Sequence, residues 1–469
     1  MNTTSLDSLS IADFCENLLS EENCNLFELE KRTIQYVHRL TANALKIALE
    51  RQDDKLFEKK PKELKVVSKE KRTLATEVGD VSFFRRRYVD KYGNFEYLLD
   101  DEIDIPYKTR ISPSAMEFIV NMSSNLSYAK TSIALQRYGS RVSPNTIMRI
   151  LHIVGNLCRS EDEKEARNLY KNGVLPDAEF DEQTINIESD GTYVSLQNGK
   201  KAEISALVAY SGKSSKNGRI SLNQPVHFGM VGCMDEFWTQ GFAKIGHQFS
   251  LDKIKQINMG FDGESKYKNG MRYSPVSAKI TGQLDNFHLN RAISACLPNE
   301  KAARAQVLDC MYEGMAEEGA DLLKEYTMSN GSYSETTERV IGYIKRNSEY
   351  INCGYISLGS MESDQLHSYK TRFAMAPCGW SIGGVDAMAR IRSRKSSKHD
   401  LPKYTREKSM YAGLSEIREN NIAKYLDNVE HVYQTSSGKG YEYPTKISSN
   451  NLPTAVKFSI GYWGRKSHE

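Results

Sequence analysis

The chain has 469 residues, enough for about three domains of roughly 100–200 residues each, and its 39% hydrophobic and 26% charged residues are typical of a globular protein that buries a core. No apolar run approaches the roughly 18–20 residues that cross a bilayer, and the polar start lacks the pattern of a secretory signal, so we expect a cytoplasmic protein with no membrane partner. The net charge of +3 is too small to indicate a nucleic-acid partner by itself, and eight cysteines without a CxxC pair argue against a zinc ribbon or a disulfide framework.

Residues 1–75 are predicted to form a mainly helical region. Apolar residues recur near the 3.6-residue spacing from Ile11 to Leu45. The charged stretch 51–72, which contains a proline, is predicted to be the end of this helix and a solvated connector. Two β-prone runs follow, GDVSFFRRRYV and FEYLL, and the turn DKYGN between them predicts a hairpin.

The hairpin and the helices after it, residues 76–165, are predicted to be a DNA-binding region. Three helical segments follow one another there, with a break at Gly139 before the third. This order predicts a helix-turn-helix whose recognition helix would present Arg141, Asn145 and Arg149 to a DNA groove. A three-helix bundle used only for packing or dimerisation explains the same spacing, so both interpretations stay open.

From Thr184 onward the pattern changes to alternating strands. Residues 166–298 predict three meandering strands, followed by helix, strand, helix, strand and helix. That is the order of an α/β RNase H-like sheet, and in it Asp190 on the first strand and Asp262 at the end of the fourth would lie side by side. Residues 299–355 are helical and cannot add strands, so we expect an α-helical insertion beside the core.

Widely spaced acidic residues fall at the ends of these strands and helices. Glu362 lies in the first turn of a helix in residues 356–395, the final part of the core, and is able to face Asp190 and Asp262. Carboxylates brought together in this way can hold two Mg²⁺ (or Mn²⁺) ions roughly 3.5–4 Å apart, which activate water and stabilise a leaving oxygen in phosphodiester chemistry. The chain is therefore predicted to be an enzyme that acts on nucleic-acid backbones.

Other interpretations of these acidic residues stay open. Asp190 and Asp262 both precede glycine, and Asp-Gly is a common turn dipeptide. Glu362 has two rivals as the third carboxylate, Asp364 and Glu349. Each residue taken singly therefore has a structural explanation, and the prediction depends on the set.

Further side chains are predicted to support the site or to contact DNA. His367 and Arg372 follow Glu362 on its helix and are assigned active-site support, because an arginine pairs with phosphate oxygens, although a solvated helix face explains them equally well. Basic clusters occur in the hairpin and in the segment that leads into a basic C-terminal region, residues 396–469. The predicted phosphate contacts from these clusters are Arg85, Arg86, Arg87, Lys395 and Lys398.

Four strings occur in a fixed order along the chain: ESDGTYV, GFDGES, LDNFHLNRA and GSMESDQLHSYKTRFAMAPCGWSIGG. With these strings the chain resembles the ISLre-type insertion-sequence transposases of bacteria, whose core motifs are related to those of Mutator-like transposases. The resemblance implies a DDE transposase that binds divalent metal through Asp190, Asp262 and Glu362. It also matches Asp285 and His288 to a carboxylate-or-cysteine, two residues, histidine element, with His288 catalytic and Asp285 in support.

The same resemblance implies a function. A DDE transposase cleaves the ends of its insertion sequence in a metal-dependent reaction and transfers the strands into target DNA. Its partners would be double-stranded DNA and further copies of the chain. It would be located in the bacterial cytoplasm, associated with the nucleoid. Two alternatives stay open, an RNase H-like nuclease without strand transfer and a domesticated, non-catalytic DNA-binding protein. The chain departs from the family at Glu264 and at Lys266-Tyr267, where a small residue and then an aromatic are usual.

Overall fold

The protein is a mixed α/β protein, and a computed structural model describes most of it. The described residues are 4–21, 24–105, 109–351, 358–373, 379–399 and 401–406. They form two compact units, one of residues up to 154 with 401–406 and the other of residues 155–399. No helix within these ranges is both long enough and apolar enough to cross a membrane.

The first unit contains two long helices, a β-hairpin and a group of helices. Its elements are α1 (Thr4–Leu19), α2 (Leu26–Lys59), β1 (Lys65–Thr76), β2 (Gly79–Val89), β3 (Phe95–Glu96), α3 (Leu98–Glu102), α4 (Pro113–Ser123), α5 (Tyr128–Arg137) and α6 (Pro144–Asn172). The boundary between the units falls within α6. Asn25 caps the start of α2 by accepting a hydrogen bond from the Glu28 N–H, and Ser112 and Ser127 cap α4 and α5 in the same way.

The hairpin differs from the predicted one. The main partner of β2 is β1, antiparallel from Lys65 opposite Val89 to Thr76 opposite Gly79, and β3 adds only two residues. The predicted solvated connector is therefore largely a strand. Its charged side chains differ in their cross-strand neighbours, since Glu70 faces Arg85 whereas Lys69 faces Arg86.

The second unit is built around a five-stranded sheet with helices. Its elements are β4 (Thr184–Ser195), β5 (Lys201–Tyr210), β6 (Gly212–Lys216), β7 (Arg219–Asn223), β8 (Val226–Met230), α7 (Met234–Gln248), β9 (Gln256–Phe261), α8 (Ser265–Lys268), β10 (Lys279–Leu284), α9 (Asn286–Cys296), α10 (Lys301–Tyr312), α11 (Ala316–Ser329), α12 (Glu335–Arg346), α13 (Ser348–Ile351), α14 (Met361–Gln365), α15 (Thr371–Phe373) and α16 (Ile382–Ser396). A last short helix, α17 (Pro402–Arg406), belongs to the first unit, where it contacts α4.

The strands of the sheet lie in the order β10-β9-β4-β5-β8. β4, β5 and β8 pair antiparallel, while β9 and β10 run parallel to β4. Strands β6 and β7 form a separate exposed ribbon, which the sequence prediction lacks even though its turn, Asn217-Gly218, has the positive φ angles typical of a two-residue hairpin. Between the fourth and fifth strands the sequence predicts a short helix in SPVSAKI; this is wrong, because Lys279 and Ile280 already belong to β10 and the helix lies earlier, at α8.

One hydrophobic cluster joins the sheet, α7 and the helices that follow β10. Large aromatic residues of α7 such as Phe237 and Trp238 are fully buried against the sheet. Helices α10 to α12 contribute Val307, Leu323 and Ile344 to this same cluster. The helical segment after β10 therefore packs as part of the core of its unit.

A network of buried charges ties α6, α7 and α16 together. The carboxylate of Asp162 on α6 contacts Lys244 of α7 at 3.0 Å and Arg394 of α16 at 2.7 Å, and it also pairs with Arg390. Arg390 donates in turn to Asp386 at 3.0 Å. Burial raises the pKa of Asp162, but Arg394, Lys244 and Arg390 outweigh burial and hold that pKa well below its usual range.

We expect Asp162→Asn to lower the free energy of unfolding by about 3–5 kcal/mol, because it leaves buried cations without their shared partner. Urea denaturation followed by tryptophan fluorescence measures this loss, since Trp238 and Trp380 both lie in the second unit. The matched control is Glu163→Gln on the exposed side of α6, which should change the free energy by less than about 0.5 kcal/mol. Equal losses in the two variants would contradict this interpretation of the network.

Candidate active site

Three neighbouring parallel strands place an aspartate at the same level of the sheet. Phe261 at the end of β9 lies in register with Ser189 of β4 and with Leu284 of β10. Each of these residues is followed by an aspartate: Ser189 by Asp190, Phe261 by Asp262 and Leu284 by Asp285. Because neighbouring strands lie about 4.8 Å apart, the three aspartates form one row across the sheet. The predicted neighbours Asp190 and Asp262 are thus adjacent, and Asp285 completes the row.

Each aspartate also holds its own local backbone. One carboxylate oxygen accepts a hydrogen bond from a nearby N–H, that of Gly191 for Asp190 at 2.7 Å and that of Glu264 for Asp262 at 2.8 Å. Asp285 caps α9 by accepting from the Phe287 N–H at 3.1 Å. The turn interpretation is therefore correct for Asp262, whereas Asp190 lies inside β4, which continues to Ser195. Asp190 and Asp262 each keep a second carboxylate oxygen, while that of Asp285 lies 2.8 Å from the Nδ1 atom of His288.

The helical segment after β10 contributes to the Asp262 turn. The hydroxyl of Tyr343 on α12 donates to the backbone carbonyl of Asp262 at 2.7 Å. Gly263, the next residue, has a φ of +92°, and a Cβ there would lie 2.7 Å from the Tyr343 ring. A side chain at this position would therefore displace α12 or the turn.

Charges in the row are only partly compensated. Burial raises the pKa of Asp190 to about 6, and the nearby charge of Asp262 acts in the same direction, while His288 and Lys370 oppose it. Burial likewise raises the pKa of Asp262. His288 donates from Nδ1 to the Asp285 carboxylate at 2.8 Å; this hydrogen bond raises the pKa of His288, and the other two aspartates add to that rise. The structure therefore brings His288 and the three aspartates together.

Glu362 shares a lysine partner, Lys370, with Asp190. It lies on α14, which continues through a π-helical turn, Leu366–Lys370, into α15. Its carboxylate accepts from the Lys370 ammonium at 3.0 Å and is 45% exposed. The same ammonium lowers the pKa of Asp190. Lys370 thus interacts electrostatically with both Asp190 and Glu362, and π-helical turns of this kind are frequent at functional sites.

The two rival carboxylates lie elsewhere. Asp364 is buried and lies 2.8 Å from the Nδ1 atom of His227 on β8, so its side chain is engaged with another strand. Glu349 is exposed on α13. Of the three candidates, Glu362 is the one that shares a charged partner with Asp190.

The aspartates fit a divalent cation by their chemistry, although the described residues contain no group of three or more His, Cys, Asp and Glu side chains placed to hold a metal ion. Asp190 and Asp262 offer oxygen ligands, which Mg²⁺ and Mn²⁺ prefer. Burial raises the pKa of each carboxyl, and nearby positive charge lowers it. In the structure Lys370 and His288 supply part of that charge.

The residues predicted to support catalysis on the Glu362 helix have different surroundings. His367 is exposed, and its backbone carbonyl accepts from Arg392 at 2.6 Å. Arg372 is buried, and its guanidinium lies 4.6 Å from the centre of the Trp380 ring. A stacked, buried Arg372 stabilises the packing around Trp380, which corrects the prediction that it faces a phosphate.

Two of the three predicted DNA contacts around the start of α6 are accessible. Arg141 in the loop and Asn145 in the first turn of the helix are exposed, while Arg149 is half-buried and its Nε atom has no hydrogen-bond partner within the described residues. Arg141 and Asn145 are therefore better placed to reach a ligand than Arg149. Whether they contact DNA stays a prediction.

The arginines of the hairpin have partners inside the first unit. Arg85 is buried, donates to Asp100 at 2.8 Å and stacks on Tyr97. Arg86 pairs with Asp53 and Asp54. These pairs correct the prediction of phosphate contacts for Arg85 and Arg86. The side chain of Arg87 is 32% exposed, so it is the accessible member of the three.

The basic residues of α16 divide in the same way. Arg390 and Arg394 are buried in the Asp162 network. Lys395 is half-buried, and burial lowers its pKa. Lys398 is exposed. Of the predicted phosphate contacts in this segment, Lys398 is therefore the most accessible.

Three residues of the site were not predicted from the sequence: Glu188, Tyr343 and Lys370. Glu188 has a recognisable signal, since a glutamate occupies a fully buried position of a strand. Tyr343 and Lys370 carry no such signal, because they act through tertiary contacts with Asp262 and Glu362.

We expect Asp190→Asn to raise the free energy of unfolding at pH 7.5 in EDTA by about 1–3 kcal/mol, at roughly 1.4 kcal/mol per unit of pKa shift. The pKa of Asp190 is about 6 in the folded protein and near 3.8 in the unfolded chain, so wild-type stability falls as the pH rises through this window. The advantage of the variant should therefore be full above pH 6 and disappear near pH 4. Urea denaturation at several pH values measures it, with exposed Asp252→Asn as the control. A constant difference at every pH would contradict the raised pKa.

Comparisons with known proteins agree on one family. The profile of UPF0236, described as an uncharacterised protein family, matches residues 19–408. The UPF0236 protein TTE0402 of Caldanaerobacter subterraneus subsp. tengcongensis is 24% identical over 432 residues, 88% of this chain and 82% of the relative. Another UPF0236 protein of that organism, whose name joins eleven designations from TTE0033 to TTE2212, is 25% identical over 432 residues, 88% of this chain and 87% of the relative.

A relative from a second organism matches a shorter stretch. The UPF0236 protein in the vanSb 3' region of Streptococcus gallolyticus is 25% identical over 293 residues, which are 60% of this chain and 62% of the relative. The family profile covers far more than half of the chain. The chain therefore belongs to the UPF0236 family.

Proposed function

We propose that this protein is a metal-dependent DNA transposase whose second unit is an RNase H-like catalytic core. The observation that carries the proposal is the row of Asp190, Asp262 and Asp285 beside His288, with the pKa of Asp190 raised to about 6. Partly buried carboxylates with raised pKa values, such as Asp190 and Asp262, are typical of a functional site, since a folded protein gains no stability from a raised carboxyl pKa.

The strand order supports the choice of fold. Numbered along the chain, the five strands of the sheet lie in the order fifth, fourth, first, second, third, with the first three antiparallel and the last two parallel to the first. That is the arrangement expected of an RNase H-like sheet. The helices α10 to α13 follow the fifth strand and come before Glu362, where the family resemblance places a helical insertion.

Each side chain of the site then has a task. Asp190 and Asp262 would hold two divalent ions, and Glu362 would complete the coordination after giving up its contact with Lys370. Bound there, such ions activate water and stabilise the leaving oxygen. Asp285 fixes His288 through Nδ1, so that Nε2 is the nitrogen able to pass a proton to or from a phosphate. Tyr343 holds the Asp262 turn in place.

The names of the relatives favour a mobile element. One UPF0236 protein carries eleven designations in a single organism, and another carries four. If each designation marks a gene, one organism holds many copies of the same protein. Such repetition is expected of a gene that an active transposase has copied, and it is not expected of a domesticated DNA-binding protein, which needs one locus.

The remaining parts of the proposal concern partners. The first unit would bind double-stranded DNA at the element ends through Arg141 and Asn145, which are exposed. Lys398 would contact phosphates without reading sequence. Two element ends must be held together, so a homo-oligomer assembles on DNA, in the bacterial cytoplasm.

The decisive test is cleavage by an Asp262→Asn variant, which keeps the size of the side chain and removes its charge. With duplexes that carry the element ends, Mg²⁺-dependent cleavage and strand transfer should fall by more than about 100-fold, since a metal ligand supplies several kcal/mol to the transition state. Binding to the same duplexes should persist, because the substitution removes a negative charge near phosphate.

The matched control is Asp321→Asn, an exposed aspartate of α11, which should cleave like the wild-type protein. If the wild-type protein cleaves these duplexes but does not join strands, the protein is a nuclease of the same fold and the transposase proposal is wrong. Specific binding without any cleavage would replace it with a non-catalytic DNA-binding protein.

We also expect the double substitution Arg141→Ala and Asn145→Ala to weaken binding to element ends more than to random DNA, because each lost base contact costs about 1–3 kcal/mol. Lys398→Ala should instead weaken both alike and flatten the salt dependence. Fluorescence anisotropy at several salt concentrations measures both effects. An equal loss on the two DNAs in the double variant would make the helices before Gly155 a packing or dimerisation element.

A further inference from the structure

Glu188 is a buried glutamate that the proposed chemistry does not use. It lies on β4, two residues before Asp190, and is 3% exposed. Its Oε2 atom accepts hydrogen bonds from the backbone N–H groups of Gly359, Ser360 and Met361, at 2.8, 2.8 and 3.2 Å. Its Oε1 atom accepts from the Tyr210 hydroxyl at 2.6 Å.

The partners of Glu188 are neutral donors. Of the ion pairs formed among the described residues, none involves this carboxylate. Removing a carboxylate from water costs several kcal/mol unless its oxygens are satisfied, and hydrogen bonds to a charged acceptor are about twice as strong as neutral ones. Four such bonds make Glu188 a strong, directional anchor for the segment that reaches it.

The neighbouring strand leaves room for this anchor. Gly260 of β9 lies opposite Glu188 in the sheet. A Cβ at Gly260 would lie 3.1 Å from the side chain of Leu358 and 3.3 Å from the Cγ of Glu188. A side chain at this position would therefore make both contacts tight, and the Leu358 or Glu188 side chain would have to shift by a few tenths of an ångström.

The anchor acts next to the candidate site. Residues i and i+2 of a strand face the same side, so Glu188 and Asp190 point to one face of the sheet. The segment that Glu188 holds ends at Met361, the residue directly before Glu362. A second contact, between Thr192 of β4 and Gln365 of α14, continues along the same strand. β4 thus carries Asp190 and also holds the start and the end of α14.

We propose that Glu188 is a positioning residue that fixes the Glu362 carboxylate opposite Asp190, with Tyr210 orienting its carboxylate. The proposal rests on the proposed function, since it takes Glu362 as a metal ligand. Glu188 itself does not touch the reacting atoms. Without it, the three backbone N–H groups lose their acceptor and Glu362 loses its fixed distance from the aspartate row.

The first experiment tests the anchor without activity. Hydrogen–deuterium exchange of the full-length protein, free of DNA and metal, should become faster at the amides of 359–361 in Glu188→Gln than in the wild-type protein, because an amide side chain keeps one acceptor and loses the charge. Tyr210→Phe should give a smaller increase. Glu182→Gln, just before β4, is the control and should leave these amides unchanged. Unchanged exchange in Glu188→Gln overturns the proposal.

The second experiment tests the positioning. Glu188→Gln should lower kcat for cleavage of element ends, or raise the Mg²⁺ concentration for half-maximal cleavage, by roughly 10–100-fold, the usual effect of removing a group that orients a metal ligand. KM for the DNA should stay near its wild-type value, whereas the urea midpoint should fall, because hydrogen bonds to a buried carboxylate are weakened. Glu188→Asp, which keeps the charge, should recover part of the activity. A merely structural residue would change the urea midpoint and leave the Mg²⁺ dependence as it was.

The outcomes separate the two proposals. Faster exchange with unchanged kcat and Mg²⁺ dependence overturns the positioning role while the proposed function stands. A wild-type protein that shows no Mg²⁺-dependent cleavage overturns the proposed function and the catalytic purpose of Glu188 with it, whereas the exchange result still decides whether the anchor exists.

Discussion

The register between β4, β9 and β10 is the constraint on which the candidate site depends. Phe261 is aligned with Ser189 and Leu284, and this alignment makes the next residue of each strand an aspartate of the row. Because side chains alternate along a strand, a slip of one residue in β9 would move Asp262 to the opposite face. The buried side chains of Ile257, Met259 and Phe261 hold β9 in its register, so the apolar core also determines the geometry of the carboxylates.

Two groups of buried carboxylates in the second unit show opposite electrostatics. Asp162 is surrounded by lysine and arginine side chains, and its pKa is held well below the usual range. Asp190 is partly buried, and its pKa is raised to about 6, because burial has the largest effect and the charge of Asp262 acts in the same direction. The fold therefore compensates the buried charge that joins its helices more fully than it compensates the charges of the aspartate row. This contrast locates the site better than acidity alone.

Much of this arrangement could be predicted from the sequence where it depends on local pattern. Alternation of apolar residues predicted β4 and β5, and the dipeptide Asp262-Gly263 marked the end of β9, whereas Asp190-Gly191 lies inside β4. The prediction failed where long-range pairing decides. β1 resembles a charged connector until its partner is known, and Arg85 resembles a free cation until Asp100 is seen beside it. A charge in a sequence carries no information about which distant charge it will meet.

The placement of Glu362 also depends on contacts that the sequence does not reveal. This residue is separated from Asp190 by more than 170 positions, and the groups that bring its segment to β4 are backbone N–H groups. Every residue except proline supplies an N–H, so nothing in the string GSM distinguishes these three as ligands of a carboxylate. What the sequence does show is the hydrogen-bond acceptor, Glu188, which occupies a position of β4 where buried residues are expected and has no basic residue beside it. A charged residue at such a position needs partners from elsewhere in the fold, and in this protein those partners are the N–H groups directly before Glu362.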